Sequence, residues 1–305
     1  MKRTFLWAAL LLNGTAPALA CTGISFTARD GAFVTARTIE WGESPLPSGY
    51  VVIPRQHETV SYTPTGANGL SFRAKYGAVG LTIVREEFIA EGINEAGLSA
   101  GLFYFPHYGK YPAYDSTRND RTLSDLQYVA WILSQFSSVD EVKAATQTVR
   151  VVSIDPSVGS TVHWRIADAS GKQVVLEFID GEPGFLGIPG DVTPPSRFVR
   201  IAFYKATAPA CETGLDAVLQ SFHILNNFDI PIGIEHPEGH APDIPSATQW
   251  TSAIDLANRR LYYKTSYNNS IRCIDLKKID FARIGYQAHP LDTIQQQPIE
   301  ELSIS

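Results

Sequence analysis

Ala18-Leu19-Ala20-Cys21-Thr22-Gly23-Ile24-Ser25-Phe26-Thr27 is the stretch on which the reading turns, because it joins a processing signal to a cysteine and runs on as a strand. Upstream, Met1-Lys2-Arg3 supplies a basic start, residues 5–12 a short apolar run, and Ala18-Leu19-Ala20 the small-x-small form of a cleavage site. The apolar run falls short of the roughly 20 residues that a membrane-spanning helix needs, and no other apolar stretch approaches that length. The layout predicts a signal peptide over 1–20 and an exported chain, periplasmic or secreted, over 21–305. Losing Lys2 and Arg3 takes the formal charge from −6 to −8.

Cleavage after Ala20 leaves Cys21 as the first residue, a place with two chemical uses. One is lipid attachment, which usually has Leu where Ala18 stands; Leu19 lies one place late, and a lipid-anchored chain is the alternative localisation. The other is nucleophilic catalysis, in which the thiol attacks a carbonyl and the α-amine of the same residue acts as base. An unperturbed α-amine titrates at about 7.7–8.0, close to working pH. An inert terminus is the third reading.

Composition narrows the classes. With 44% hydrophobic and 18% charged residues the chain is an ordinary globular protein. Its 25 Lys plus Arg against 31 Asp plus Glu leave no polybasic surface for nucleic acid. Three cysteines, at 21, 211 and 273, are too few for a disulfide scaffold and lack any Cys-x-x-Cys pair, which argues against structural zinc. Cys211 and Cys273 are expected as ordinary thiols or, if close, a disulfide. His236 and His240 share a segment with Pro237 and Gly239, so they are not a helical metal pair. Gly184, Gly187 and Gly190 lack the Lys-Ser of a phosphate loop. No cofactor is called for.

Periodicity supplies the architecture. Alternating or β-branched runs at 22–27, 33–39, 50–54, 79–84 and 98–105 read as antiparallel strands, with turns at Arg29-Asp30-Gly31 and Asn94 to Gly97. Leu123, Leu126, Val129, Leu133 and Phe136 follow Thr122 at helical spacing, and Ser138 to Glu141 opens a second helix with a capping box, running to about Val149. Trp131 reads as core. A hairpin pairs Val162, Trp164 and Ile166 with Val174, Leu176 and Phe178 around Ala169 to Lys172. A Gly- and Pro-rich loop over 183–195 precedes helices over 196–205 and 211–225, then strands over 248–254, 260–266 and 271–275. With no parallel βαβ rhythm, the class is α+β: two antiparallel sheets between helix layers, as a single domain over 21–305.

Taken together, Cys21-Thr22-Gly23, Ala36 to Trp41, Gly92-Ile93-Asn94-Glu95-Ala96-Gly97-Leu98 with Ala100-Gly101-Leu102, Pro189-Gly190-Asp191 with Pro195 to Arg200, Thr248 to Thr251 with Asp255-Leu256, and Tyr262 to Thr265 resemble the choloylglycine hydrolase family of N-terminal-nucleophile amidases. That family includes bile salt hydrolases and penicillin V acylases. The likeness runs in order through most of the chain. It implies an αββα sandwich and amide hydrolysis, releasing glycine or taurine from conjugated bile salts; penicillin V or acyl-homoserine-lactone acylase activity is the alternative.

The resemblance implies a small-molecule amide substrate, a homotetramer, and five catalytic residues. These are Cys21 as nucleophile, Arg37 beside the thiol, Glu40 where many members have an Asp that binds the α-amine, Tyr104 at an oxyanion position with Phe103 one place away, and Arg197 close to the nucleophile. One departure stands out. The family's Thr-Asn-x-Pro segment, whose Asn donates to the oxyanion, is missing where Gly181-Glu182-Pro183 runs into Gly184, which reads as an internal deletion near 183–184. Loss of one oxyanion donor typically lowers the rate by about 10²–10³. An inactive truncated homologue, at most a binding protein, is therefore a further reading.

Overall fold

Gly31 turns the chain at φ +85°, and around it the backbone of Ala28 bonds that of Ala32, so β1 (Gly23–Thr27) folds back on β2 (Phe33–Trp41). Only glycine takes such a φ without steric cost. The computed structural model describes residues 21–41, 46–104, 109–158, 161–177, 194–230 and 247–300. After β3 (Ser48–Ile53) comes a short pair, β4 (Glu58–Val60) and β5 (Ser71–Arg73), followed by β6 (Ala78–Ile83), β7 (Arg85–Asn94) and β8 (Ser99–Tyr104). A parallel pair, β9 (Thr122–Ser124) and β10 (Arg150–Val152), brackets α1 (Tyr128–Gln135) and α2 (Val139–Thr146). The hairpin β11 (Val162–Ala167) and β12 (Gln173–Leu176) follows, then α3 (Pro194–Thr207), α4 (Gly214–Leu225), β13 (Ala247–Asp255), β14 (Arg260–Thr265), β15 (Arg272–Asp275) and β16 (Gln287–Pro290).

Two antiparallel sheets result, one ordered β1-β2-β13-β14-β15 and the other β12-β11-β8-β7-β6-β3-β16. Ile39, Trp250, Ile254 and Leu261 of the first share one apolar core with Leu81, Ile93 and Ala100 of the second. The alternate residues of the first sheet, Ile24, Val34, Ala36 and Ala253, turn outward onto Val218, Phe222 and Leu225 of α4. A helix of this length is marginal alone; burying each such side chain, worth about 1.5–3 kcal/mol, holds it on the sheet. On the far side α1 packs against β7 and β8, close enough that a Cβ on Gly92 would stand 2.7 Å from Leu133 Cδ1. Helix, sheet, sheet, helix is the αββα architecture that the resemblance implied.

Several expectations shift. Thr122 lies in β9 and does not start a helix; Ser124 accepts from the Leu126 N–H, and α1 starts at Tyr128. The apolar spacing from Leu123 is therefore shared by a strand, a 3₁₀ turn and a helix. Ser138 caps α2 as expected, but the carboxylate of Glu141 binds the N–H of Ser137, so the reciprocal half of that box is absent. The full capping box belongs to α4, between Thr213 and Asp216, and leaves Cys211 outside the helix. Cys211 is buried and Cys273 exposed, and both are free thiols. β7, the longest strand of its sheet, was hidden because Arg85-Glu86-Glu87 reads as a polar break. Most of the 183–195 loop, with the 183–184 deletion, and His236 and His240 lie outside the described residues.

Candidate active site

Cys21 stands two residues before β1 and packs, half-buried, on the core between the sheets. Thr22 ties it to β2: its N–H donates to Thr38 Oγ1 at 3.3 Å, and its carbonyl accepts from the Thr38 N–H at 2.9 Å. Gly23 pairs with Arg37. A side chain at Gly23 would collide with Phe103, whose Cε1 lies 2.9 Å from where a Cβ would stand. The glycine thus lets β8 of the opposite sheet approach the strand that carries the cysteine.

Arg37 is fully buried on the inner face of β2. Its Nε donates to the Thr38 carbonyl at 3.0 Å, and its Nη1 crosses to the other sheet, reaching Ala90 O at 3.0 Å and Leu102 O at 2.7 Å. The guanidinium lies 4.4 Å from the Phe103 ring centroid and 5.3 Å from that of Trp250. Among the described residues its Nη2 has no hydrogen-bond partner. A cation held this way has little freedom to move, and it sits one strand from Cys21.

The other expected residues are placed differently. Glu40, three residues along β2, faces the opposite side of the sheet, where it accepts from Thr248 Oγ1 at 3.5 Å. Arg197 is buried on α3, one turn before Ile201, on the α4 side of the same sheet. Tyr104 ends β8 opposite Val162 and shares the face of Leu102, toward α1. Burial pushes its hydroxyl pKa up. Its neighbour Phe103 is the residue of β8 that meets Gly23 and Arg37.

Sequence reading passed over a second set of inward groups. Glu91 on β7 is buried and accepts from Arg165 Nη2 of β11 at 2.5 Å and from Ser99 Oγ at 3.4 Å. Burial drives the Glu91 carboxyl up, against the pull of Arg165 and Arg37. His163, beside Phe103, contacts Glu177 through Nδ1 at 3.1 Å; burial lowers its pKa. The signal for this set lay in the pattern: single charges inside apolar runs, Glu91 in Phe88 to Ile93 and Arg165 in Val162 to Ala167. Among the described residues no group of three or more His, Cys, Asp or Glu could hold a metal ion.

A sequence profile of linear amide C–N hydrolases, choloylglycine hydrolase family, matches residues 21–182 and 178–292. A bile salt hydrolase/transferase of Clostridium perfringens is 27% identical over 314 residues, covering 85% of this chain and 93% of that protein. A penicillin V acylase of Pectobacterium atrosepticum is 24% identical over 340 residues, covering 92% and 88%. Among solved structures, a variant of the conjugated bile acid hydrolase from Clostridium perfringens has the same fold, with TM-score 0.76 and 23% identity over 92% of this chain and 99% of that one.

Proposed function

The chain belongs to the choloylglycine hydrolase family of linear amide C–N hydrolases, and we propose that it hydrolyses conjugated bile salts through Cys21 as an N-terminal nucleophile. The observation that carries this reading is the buried Arg37 guanidinium, held by carbonyls of both sheets one strand from Cys21. It is further supported by a profile match that begins at Cys21. Export and removal of residues 1–20 are part of the proposal, because they free the α-amine.

The reaction runs in two steps. The α-amine takes the thiol proton and the sulfur attacks the amide carbonyl; collapse of the tetrahedral intermediate breaks the C–N bond, and the proton leaves with glycine or taurine. Water, deprotonated by the amine, then attacks the thioester and frees the acid. Arg37 supplies fixed positive charge to the anionic sulfur and to the oxyanion that follows. In this scheme Glu40 approaches the amine from the other face of β2, and the family resemblance is what assigns supporting roles to Tyr104 and Arg197. Self-association as a homotetramer is supported by the apolar side chains that α3 and α4 expose, Phe198, Phe203, Leu215 and Leu219.

Glycine or taurine release by the chain starting at Cys21, measured beside a Cys21→Ser control, tests the reading; equal release by both overturns it. Two other readings have their own support. The penicillin V acylase likeness favours a phenoxyacyl substrate, tested by the same assay on penicillin V. Slow turnover is favoured by the missing Thr-Asn-x-Pro segment and by a family match that divides at 178–182.

A further inference from the structure

Charge between the sheets is unevenly paired. Arg37, with no exposed surface, makes its hydrogen bonds among the described residues to neutral carbonyls. Arg165, also buried, gives Nη2 to Glu91 at 2.5 Å and Nη1 to Ala36 O at 3.5 Å, the carbonyl just before Arg37. Glu91 is 1% exposed, and its Oε2 has no hydrogen-bond partner among the described residues. That oxygen lies over Gly101, where an added Cβ would stand 2.2 Å from it. Among the described residues the Glu91 carboxylate thus bonds one of the two guanidiniums and not the other.

The three groups form one unit. Both guanidiniums flank the Phe103 ring, at 4.4 Å and 5.7 Å from its centroid. The carbonyls that hold Arg37, those of Ala90 and Leu102, belong to the residues adjoining Glu91 and Gly101, which are themselves register partners. Glu91 thus joins β7 to β11 at the point where β7 and β8 grip Arg37. Removing one partner of such a buried pair leaves an uncompensated charge, whereas replacing both by apolar groups is often neutral.

We propose that Glu91 is a positioning residue for amide hydrolysis: it cancels the charge of Arg165 and fixes β7 against β8 and β11, so that, among the described residues between the sheets, Arg37 acts as the net positive charge on the Cys21 end of β1. This rests on the reading of Cys21 as nucleophile. The charged and titratable groups around the unit, among the described residues, are Arg37 from β2, Arg165 and His163 from β11, and Glu177 after β12 through its contact with His163. Glu40 stands on the reverse face of β2.

The test is the pH profile of kcat/KM for the chain starting at Cys21, expressed per titrated thiol. Glu91→Gln leaves two positive charges in place of one, and the acid limb moves to lower pH by about half a unit or more. Arg165→Met leaves Arg37 facing an unshared carboxylate and moves the limb to higher pH. The double variant returns it to within about 0.2 unit of the parent, and Glu91→Asp, which keeps the charge, moves it less than Glu91→Gln. A limb that stays fixed in either single variant while the melting temperature falls overturns the proposal and leaves Glu91 a purely structural group. Because the two single variants shift the limb in opposite directions, either one that folds decides the matter alone. Failure of the parent reading shows separately, as turnover in the wild-type chain that survives Cys21→Ser.

Discussion

Arg37 and Glu40 stand three residues apart on β2, yet they occupy different compartments. On the inner face Arg37 is enclosed by two sheets, fixed by three carbonyls and stacked on Phe103 and Trp250. On the outer face Val34 and Ala36 pack under α4, and Glu40 closes that row against Thr248. An odd spacing on a strand always divides residues in this way. Cys21 packs on the core between the sheets, the compartment that Arg37 enters. A contiguous sequence motif thus places its charged residues on two sides of one strand.

That contrast can be broken most directly at Arg37. Arg37→Met is expected to lower kcat/KM by about 100-fold or more, the scale of losing a fixed electrostatic donor, while Glu40→Gln loses about tenfold. Equal losses in steady-state assays, with circular dichroism showing both variants folded, would mean that the two faces do not divide the work. A smaller effect sharpens the packing side of the comparison. Gly101→Ala forces a methyl onto the Glu91 carboxylate and should destabilise the fold by about 1–3 kcal/mol in urea titration; unchanged stability would show that Glu91 moves aside freely.

The smallest effect sets a buried carboxyl without a cation beside Glu91. Asp125 is buried and accepts from the N–H groups of Leu126 and Ile154. Burial pushes its pKa up to about 7, above the ordinary carboxylate value. Between about pH 4 and pH 7 the folded chain keeps a proton that the unfolded chain releases, so this group's contribution to stability falls as pH rises through that window. Between pH 6 and pH 8 the loss is about 1 kcal/mol. Asp125→Asn should flatten that part of a plot of melting temperature against pH, and an unchanged slope would assign the dependence to another group.

How much was legible depended on whether a signal was local. The turns at Gly31 and Gly97 and the β11–β12 hairpin followed from short-range pattern, because a positive φ and a period of two are properties of a few neighbouring residues. The helix start at Tyr128 was misplaced because an apolar spacing suited to a helix also fits β9 once Thr122 pairs with Arg150, distant in sequence. Phe103 was separated from Tyr104 only by the register of β8 against β11.

By itself the sequence determined a cysteine next to a cleavage-like Ala18-Leu19-Ala20, the class of the fold and, through its motifs, the family. Tertiary structure alone decided that Arg37 reaches across to Ala90 and Leu102, and that Glu91 and Arg165 meet in the interior. It also decided that Gly23 admits Phe103. The physical reason is range. Backbone propensity and apolar periodicity act within a few residues, whereas a buried charge finds its partner only when two sheets stack and remove the water that would otherwise solvate it.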